Sequence, residues 1–238
     1  MSFSERFKLF LSENNLQDYS KKQMTTCYTV FLRLEIIGKY FTELDRRVSV
    51  MDFGSSILIF SRYLARLGNN VTAIDVDVKE IKTENLNVIC GDFKDIHLAG
   101  KFDHILCLDV FEHLSAPDQQ ELFDFLGKHL EEKGTLIFSM PNSLSINYGL
   151  KYILNKYILL KKEMDPHFLY PFWKIDSIVR KGGFDIRSRV GCDRFFRLIR
   201  QPSPIVLNLL YFFESFIGFL IPPIFSSNYI LFLEKRKS

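Results

Sequence analysis

The chain has 238 residues, a net charge of +3, a charged fraction of 25% and a hydrophobic fraction of 47%. Those proportions exclude a disordered polypeptide and suit one α/β domain with appendages. The small charge gives no reason to expect a nucleic-acid partner, and Cys27, Cys90, Cys107 and Cys192, with no C-x-x-C pair, suggest neither a zinc knuckle nor a disulfide framework.

The N-terminal stretch MSFSERFKLFLSENN lacks the apolar centre of a secretory signal, so a reducing cytoplasm is the expected setting. Ser4 to Asp45 read as helices with an apolar stripe (Phe7, Phe10, Leu11, then Tyr28, Phe31, Leu32, Leu34 and Ile36), which makes residues 1–46 a helical cap ahead of a main domain at 47–238. RVSVMDF reads as a strand. FSRYLARLG reads as a helix with Tyr63, Leu64 and Leu67 on one face and Gly68 as its stop. NVTAID, NLNVICGD and FDHILCLDV are three further β-rich runs, and Cys90 and Cys107 within them read as buried thiols. PDQQELFDFLGKHLEEKG is a predicted helix with Pro117 near its start and Gly134 just past its end. TLIFSMP is the fifth strand.

Strands alternating with helices imply βαβ units and a parallel sheet with right-handed crossovers. Open parallel sheets bind ligands at the carboxyl ends of their strands, and those ends carry Asp52-Phe53-Gly54, Asp75, Asp92-Phe93 and Asp109. One acid at a strand end is an ordinary turn residue; four in series are not so easily dismissed.

These motifs are similar to those of class I S-adenosylmethionine-dependent methyltransferases, in particular the group that includes the ubiquinone-biosynthesis O-methyltransferases. The likeness runs from about Val48 to Asn142 and resumes near Pro166 to Val190 and at SNYILFLEK. The family's D-x-G-x-G-x-G falls on Asp52, Gly54, Ser56 and Leu58, so two glycines are replaced. The resemblance implies S-adenosyl-L-methionine as cofactor, held by Asp52, Gly54, Ser56, Asp75 at the ribose, Asp92 and Phe93 at the adenine, and Asp109. It also implies a Rossmann-like doubly wound sheet of seven strands, the last antiparallel, with KGGFDI entering the sixth and helices inserted after strands five and six. A nicotinamide site would need G-x-G-x-x-G opening the helix, which GSSILIF does not supply.

The chemistry implied is methyl transfer, with oxygen the expected acceptor atom and nitrogen or carbon the alternatives. FDHILCLDVFEHL matches the family's fourth-strand motif, so Glu112 and His113 are the candidate catalytic residues. If the segment were α-helical, Asp109, Glu112 and His113 would share a face. An orienting role is ranked first for this pair, a general base second and a divalent-metal set third. His97, His104 and His129 are assigned no role, His97 and His129 being expected on the surface. The alternative is a non-catalytic relative with a degenerate cofactor loop, serving as an assembly partner. No Asn-Pro-Pro-Tyr-type base-methylation motif follows strand four.

Acceptor choice is expected in the insert at 143–165, where Lys151, Lys156, Lys161 and Lys162 mix with aromatics to meet a small-molecule, saccharide or lipid-linked substrate. Residues 204–225 form a predicted hydrophobic helix with one narrow stripe of Asn208, Tyr211, Ser215 and Gly218, and Glu214 alongside. Burial against the sheet or a homodimer partner is the preferred reading. The alternative is peripheral membrane contact, with Arg194, Arg197 and Arg200 just before it for anionic lipid.

Overall fold

The computed structural model describes residues 1–14, 17–143, 145, 170–192, 203–220 and 226–237, with the backbone alone at 17–26 and 217–220. The chain divides into two compact units. One comprises Gly38–Pro141, Pro166–Arg189 and Ile230–Ser238; the other comprises Met1–Ile37, Asn142–Asp165 and Val190–Tyr229.

The larger unit is built on the sheet. In chain order its elements are β1 (Ser49–Phe53), α3 (Ile59–Arg66), β2 (Asn70–Asp75), β3 (Ile81–Lys82), β4 (Leu86–Cys90), β5 (Phe102–Leu108), α4 (Ala116–His129), β6 (Leu130–Pro141), α5 (Phe172–Lys181), β7 (Phe184–Cys192) and β8 (Asn228–Lys235). The eight strands lie in the order β3-β4-β2-β1-β5-β6-β8-β7. β4, β2, β1, β5 and β6 run parallel. The mixed, doubly wound architecture is the expected one, with an eighth strand: β3 is a two-residue antiparallel edge piece paired through Ile81↔Val88 and Lys82↔Asn87. A two-residue strand is too short to show a period of two in the sequence. β8 returns the chain into the sheet between β6 and β7.

Val50, Met51, Ala73, Ile105, Leu106, Ile137 and Phe138 are buried, so the central strands are apolar on both faces, as a sheet covered by helices requires. α3 packs on β2 and β4, and α4 on β6. Phe123 of α4 meets Phe111, Phe138 and Phe184 at ring-centroid distances of 5.1, 5.8 and 5.8 Å. α3 stops where it should. Gly68 (φ +87°) and Asn69 send their N–H groups back to the carbonyls of Ala65 and Leu64 at 2.9 and 3.2 Å. α4 starts on Ser115, whose hydroxyl accepts from the Asp118 N–H at 3.4 Å.

Several side chains depart from expectation. Leu67 is exposed, because α3 ends before it and only Ile59, Ser61 and Leu64 of that helix are buried. Gly134 lies inside β6, since α4 passes directly into the strand at Leu130. A Cβ there would sit 2.8 Å from the Asp103 carbonyl. His129 is buried with its Nδ1 3.2 Å from the Gly100 carbonyl, and Cys90, the last residue of β4, is exposed.

The smaller unit holds α1 (Phe3–Glu13), most of α2 (Gln17–Thr42) and α6 (Pro204–Leu220). Ser2 and Glu5 form a reciprocal capping box that starts α1. Phe3, Phe7, Phe10 and Leu11 are buried on one face of α1, against Tyr28 and Phe31 of α2 and Tyr211 of α6. The predicted stripe, except for the half-buried Ile36, is thus buried in this unit. The insert at 143–165 lies outside the described residues except at Ser143 and Ser145. Asn142, just ahead of it, is buried and donates from its amide to the Ser226 carbonyl at 3.0 Å.

Two buried titratable groups of the larger unit oppose each other. Burial pushes the Asp52 carboxyl up to about 6 against the pull of Ser61, which donates its hydroxyl to Asp52. Burial pushes His104, in contact with Tyr40, down to about 4. Asp52 keeps in the fold a proton that the unfolded carboxyl has lost, so its contribution falls as pH rises between about 4 and 6. His104 refuses in the fold a proton that the unfolded imidazole accepts, so its contribution falls as pH drops from about 6.5 to 4. Each gap of about two pH units amounts to about 3 kcal/mol. Denaturant unfolding across this window should therefore show Asp52→Asn rising more steeply with pH than the wild type, and His104→Gln losing that rise. Parallel profiles for all three proteins would contradict the assignment.

Candidate cofactor and active site

The loop from β1 to α3 is set by its backbone. The N–H groups of Gly54 and Ser55 both donate to the Ile74 carbonyl of β2, at 2.8 and 3.2 Å, and the Leu58 N–H donates to the Ser55 carbonyl at 2.8 Å. Gly54 takes φ +73°, and a Cβ built on it would lie 2.1 Å from Cγ2 of Val110, in the turn after β5. Only glycine meets both demands.

Ser56 and Leu58, at the two positions where the resembled family carries glycine, also take left-handed backbone, with φ 46° and 62°. Both residues thus occupy a backbone region that glycine enters at no steric cost. The left-handed region costs an L-residue about 1–2 kcal/mol. Leu58 offsets that cost by burying its side chain, whereas Ser56 leaves its own exposed. Ser55, which the sequence reading passed over, has a buried hydroxyl with no hydrogen-bond partner among the described residues. Nothing in its type or spacing signals this, because the burial arises from the turn itself.

Asp75 closes β2 and braces the loop. One carboxylate oxygen accepts from the Ser56 N–H at 2.8 Å and the other from the Asp77 N–H at 3.1 Å. Asp52 faces inward, buried and held by Ser61 of α3, so within the described contacts it ties strand to helix. Asp92 is exposed and accepts from the Lys94 N–H at 3.0 Å. Phe93 meets Phe53 and Phe125 edge-on, at 5.8 and 5.7 Å between centroids.

Beyond β5, Asp109 takes φ 54°, donates its N–H to the Ser139 carbonyl at 3.1 Å and accepts from the Ser139 hydroxyl at 2.8 Å. Phe111–His113 is a single 3₁₀ turn and not an α-helix, so the shared face of Asp109, Glu112 and His113 does not form as drawn. Glu112 is buried and His113 is exposed. Gln119, a buried α4 residue that sequence reasoning did not single out, donates from its amide to the carbonyls of Phe111 and Leu114 at 3.2 Å each and fixes this turn. Burial pushes the Cys107 thiol up, and the charges of Glu112, Asp52 and Asp109 push the same way. Among the described residues, no group of three His, Cys, Asp or Glu side chains is arranged to hold a metal ion.

Asp52, Gly54, Ser56, Asp75, Asp92, Phe93, Asp109, Glu112 and His113 therefore sit at or just past the carboxyl ends of β1, β2, β4 and β5, four neighbouring parallel strands about 4.8 Å apart. A left-handed loop after the first strand, with an acid ending the next, defines an α/β protein of the nucleotide-cofactor-binding class. Residues 28–188, more than half the chain, match the methyltransferase-domain family, and the chain belongs to that family.

Among similar proteins, the ubiquinone biosynthesis O-methyltransferase of Rickettsia akari (strain Hartford) is 30% identical over 160 residues, 62% of this chain and 63% of that protein. The enzyme of the same name from Hydrogenovibrio crunogenus is 26% identical over 177 residues, 68% of this chain and 71% of that one. The chain thus spans about two thirds of the length of these curated relatives. In fold it is similar to magnesium protoporphyrin IX methyltransferase from Synechocystis PCC 6803, solved with bound S-adenosylhomocysteine, at a TM-score of 0.62 and 17% identity over 90% of this chain and 87% of that one. The 1,6-didemethyltoxoflavin-N1-methyltransferase of Burkholderia thailandensis superposes with a TM-score of 0.57 at 11% identity, covering 100% of this chain and 92% of its own.

Because Ser56 is exposed and left-handed, Ser56→Gly should leave stability within about 1 kcal/mol of wild type or raise it, while the β-branched Ser56→Val should cost about 2 kcal/mol or more. Chemical denaturation of the pair tests this. Equal stabilities would show that the backbone at 56 is not left-handed.

Proposed function

We propose that this chain transfers a methyl group from S-adenosyl-L-methionine to a hydroxyl oxygen of a small-molecule, saccharide or lipid-linked acceptor. The observation that carries the reading is the loop at Gly54, Ser56 and Leu58, whose left-handed backbone keeps the course of a glycine turn beside Asp75. It favours the catalytic reading over a non-catalytic assembly partner, which the loss of glycines alone had suggested. The choice of oxygen draws on the O-methyltransferase relatives.

The residues present fit such a cofactor. A close turn without a Cβ at Gly54, a buried and unpartnered Ser55 hydroxyl and the backbone of the loop suit its amino-acid end. Asp75 would accept from both ribose hydroxyls, and Asp92 with Phe93 would bound the adenine. When bound, the cofactor supplies a sulfonium methyl already activated for displacement. What remains for the protein is to hold the acceptor hydroxyl in line and to take its proton. His113, exposed on the turn after β5, is the candidate base, its exposure favouring that role over the orienting one expected of the Glu112–His113 pair. Glu112, buried one residue earlier, and Asp109, held by Ser139, are positioning groups in this reading.

Calorimetric titration with S-adenosylhomocysteine tests the cofactor assignment. Asp75→Ala should weaken binding at least about tenfold, given about 1.5–3 kcal/mol for each hydrogen bond to a charged group. Unchanged affinity in a folded variant would refute the assignment. For the chemistry, labelled methyl transfer should fall by about 10²–10⁴-fold in His113→Asn with cofactor affinity retained. A change of only a few-fold would remove His113 as the base and leave the cofactor assignment standing.

A further inference from the structure

α6 is built inside out. Three of its polar residues turn toward the protein, beside the buried Leu207: Asn208 accepts the Ser4 N–H on its side-chain oxygen at 2.9 Å, Tyr211 stacks on Phe3 at 4.2 Å, and Glu214 is buried, while Ser215 is exposed at the edge of the outer face. Arg6 lies 5.6 Å from the Tyr211 ring and pairs with Glu35 at 2.6 Å, so this inner face is well satisfied. The outer face is apolar. Ile205, Leu209, Phe212, Phe213 and Phe216 are 73, 51, 64, 51 and 55% exposed. Their spacing of four, three, one and three residues puts them on one side of the helix. The expected burial of this helix is thus met on one face only.

A water-soluble surface helix has the opposite polarity, with its apolar stripe inward. We infer that this outer face of α6 docks on an anionic lipid surface, lying in the plane of the headgroups. Three observations select lipid over a second copy of the chain. The five side chains offer on the order of 500 Å² of apolar area, short of the roughly 800 Å² per partner that a stable interface buries. The single acid of the helix, Glu214, is withdrawn to the inner face, so the outer face presents no charge to repel phosphate. In sequence the segment before the helix carries three cations, Arg194, Arg197 and Arg200, which lie outside the described residues. Spanning is not implied: α6 has 17 residues, against about 20 for a crossing, and no described helix is long and apolar enough to cross a membrane. The chain also returns to the sheet as β8 directly afterwards. This inference does not rest on the methyl-transfer reading.

Flotation of the full chain with phosphatidylcholine vesicles, with and without phosphatidylglycerol, at low and high salt, tests it. The wild type should float with the anionic vesicles and less so at high salt. Phe212→Asp and Phe216→Asp should each weaken that binding about tenfold or more, with S-adenosylhomocysteine affinity and melting temperature unchanged as a check on folding. Phe212→Ser and Phe216→Ser serve if an aspartate variant fails to fold. Replacing Arg194, Arg197 and Arg200 together by alanine should abolish the preference for anionic over neutral vesicles. A wild type that stays off both kinds of vesicle would overturn the inference. So would a wild-type dimer in sedimentation that the Phe212 and Phe216 substitutions convert to monomer, since the face would then belong to a second copy.

Discussion

Everything in the candidate site is organised by the press of one backbone against one side chain, Gly54 against Val110. With 2.1 Å between Val110 Cγ2 and the place where a Cβ would stand, the loop after β1 and the turn after β5 pack too closely to admit any side chain at position 54. The Ile74 carbonyl takes two N–H groups of that loop, and Asp75 takes a third, so β2 is fastened to the same point. Three strand ends therefore share one closely packed junction. It is held chiefly by backbone groups, which explains how Ser56 and Leu58 can replace glycine without redirecting the chain.

The acids at the strand ends have divided their work. Asp52 is engaged with the fold: buried, raised in pKa and bonded to Ser61, it joins β1 to α3. Asp75 both braces the loop and ends β2. Asp109 is tied to β6 through Ser139, which holds it in a left-handed conformation that a short polar side chain tolerates better than most. The Phe111–His113 turn is governed from elsewhere, by Gln119 of α4. A site composed this way takes much of its geometry from Ser61, Ser139 and Gln119, which sit outside the set the sequence singled out.

That division marks what the sequence could and could not disclose. The strand–helix alternation and the strand-end acids were legible because period, apolar runs and strand termini are local properties of the chain. Backbone sign was not: Ser56 and Leu58 look like departures from a glycine motif, and only φ shows that both take left-handed backbone. Gln119 reads as one polar residue among several on α4, and Ser55 as a filler between Gly54 and Ser56. Cys90 and His129 were misplaced for a related reason. An apolar neighbourhood in sequence says little about the last residue of a strand or helix, whose exposure is decided by what packs over the end. α4 running straight into β6 hid its boundary, because Gly134, the apparent stop, serves a close approach to Asp103.

The hydrophobic helix presents the same problem in sharper form. A narrow polar stripe on an apolar helix states that two environments exist without saying which one is the protein. The usual assumption gives the apolar side to the core, and that assumption fails here because α1 offers polar partners: the free N–H of the first turn at Ser4 for Asn208, and the Arg6 guanidinium beside Tyr211. Those partners are themselves products of the capping box at Ser2, which starts α1 in register to present them. Once Asn208, Tyr211 and Glu214 are satisfied inward, helical geometry alone sends Leu209, Phe212, Phe213 and Phe216 outward. The exposed face is thus the consequence of specific contacts on the opposite side, and a stripe of that kind has to be met by something apolar.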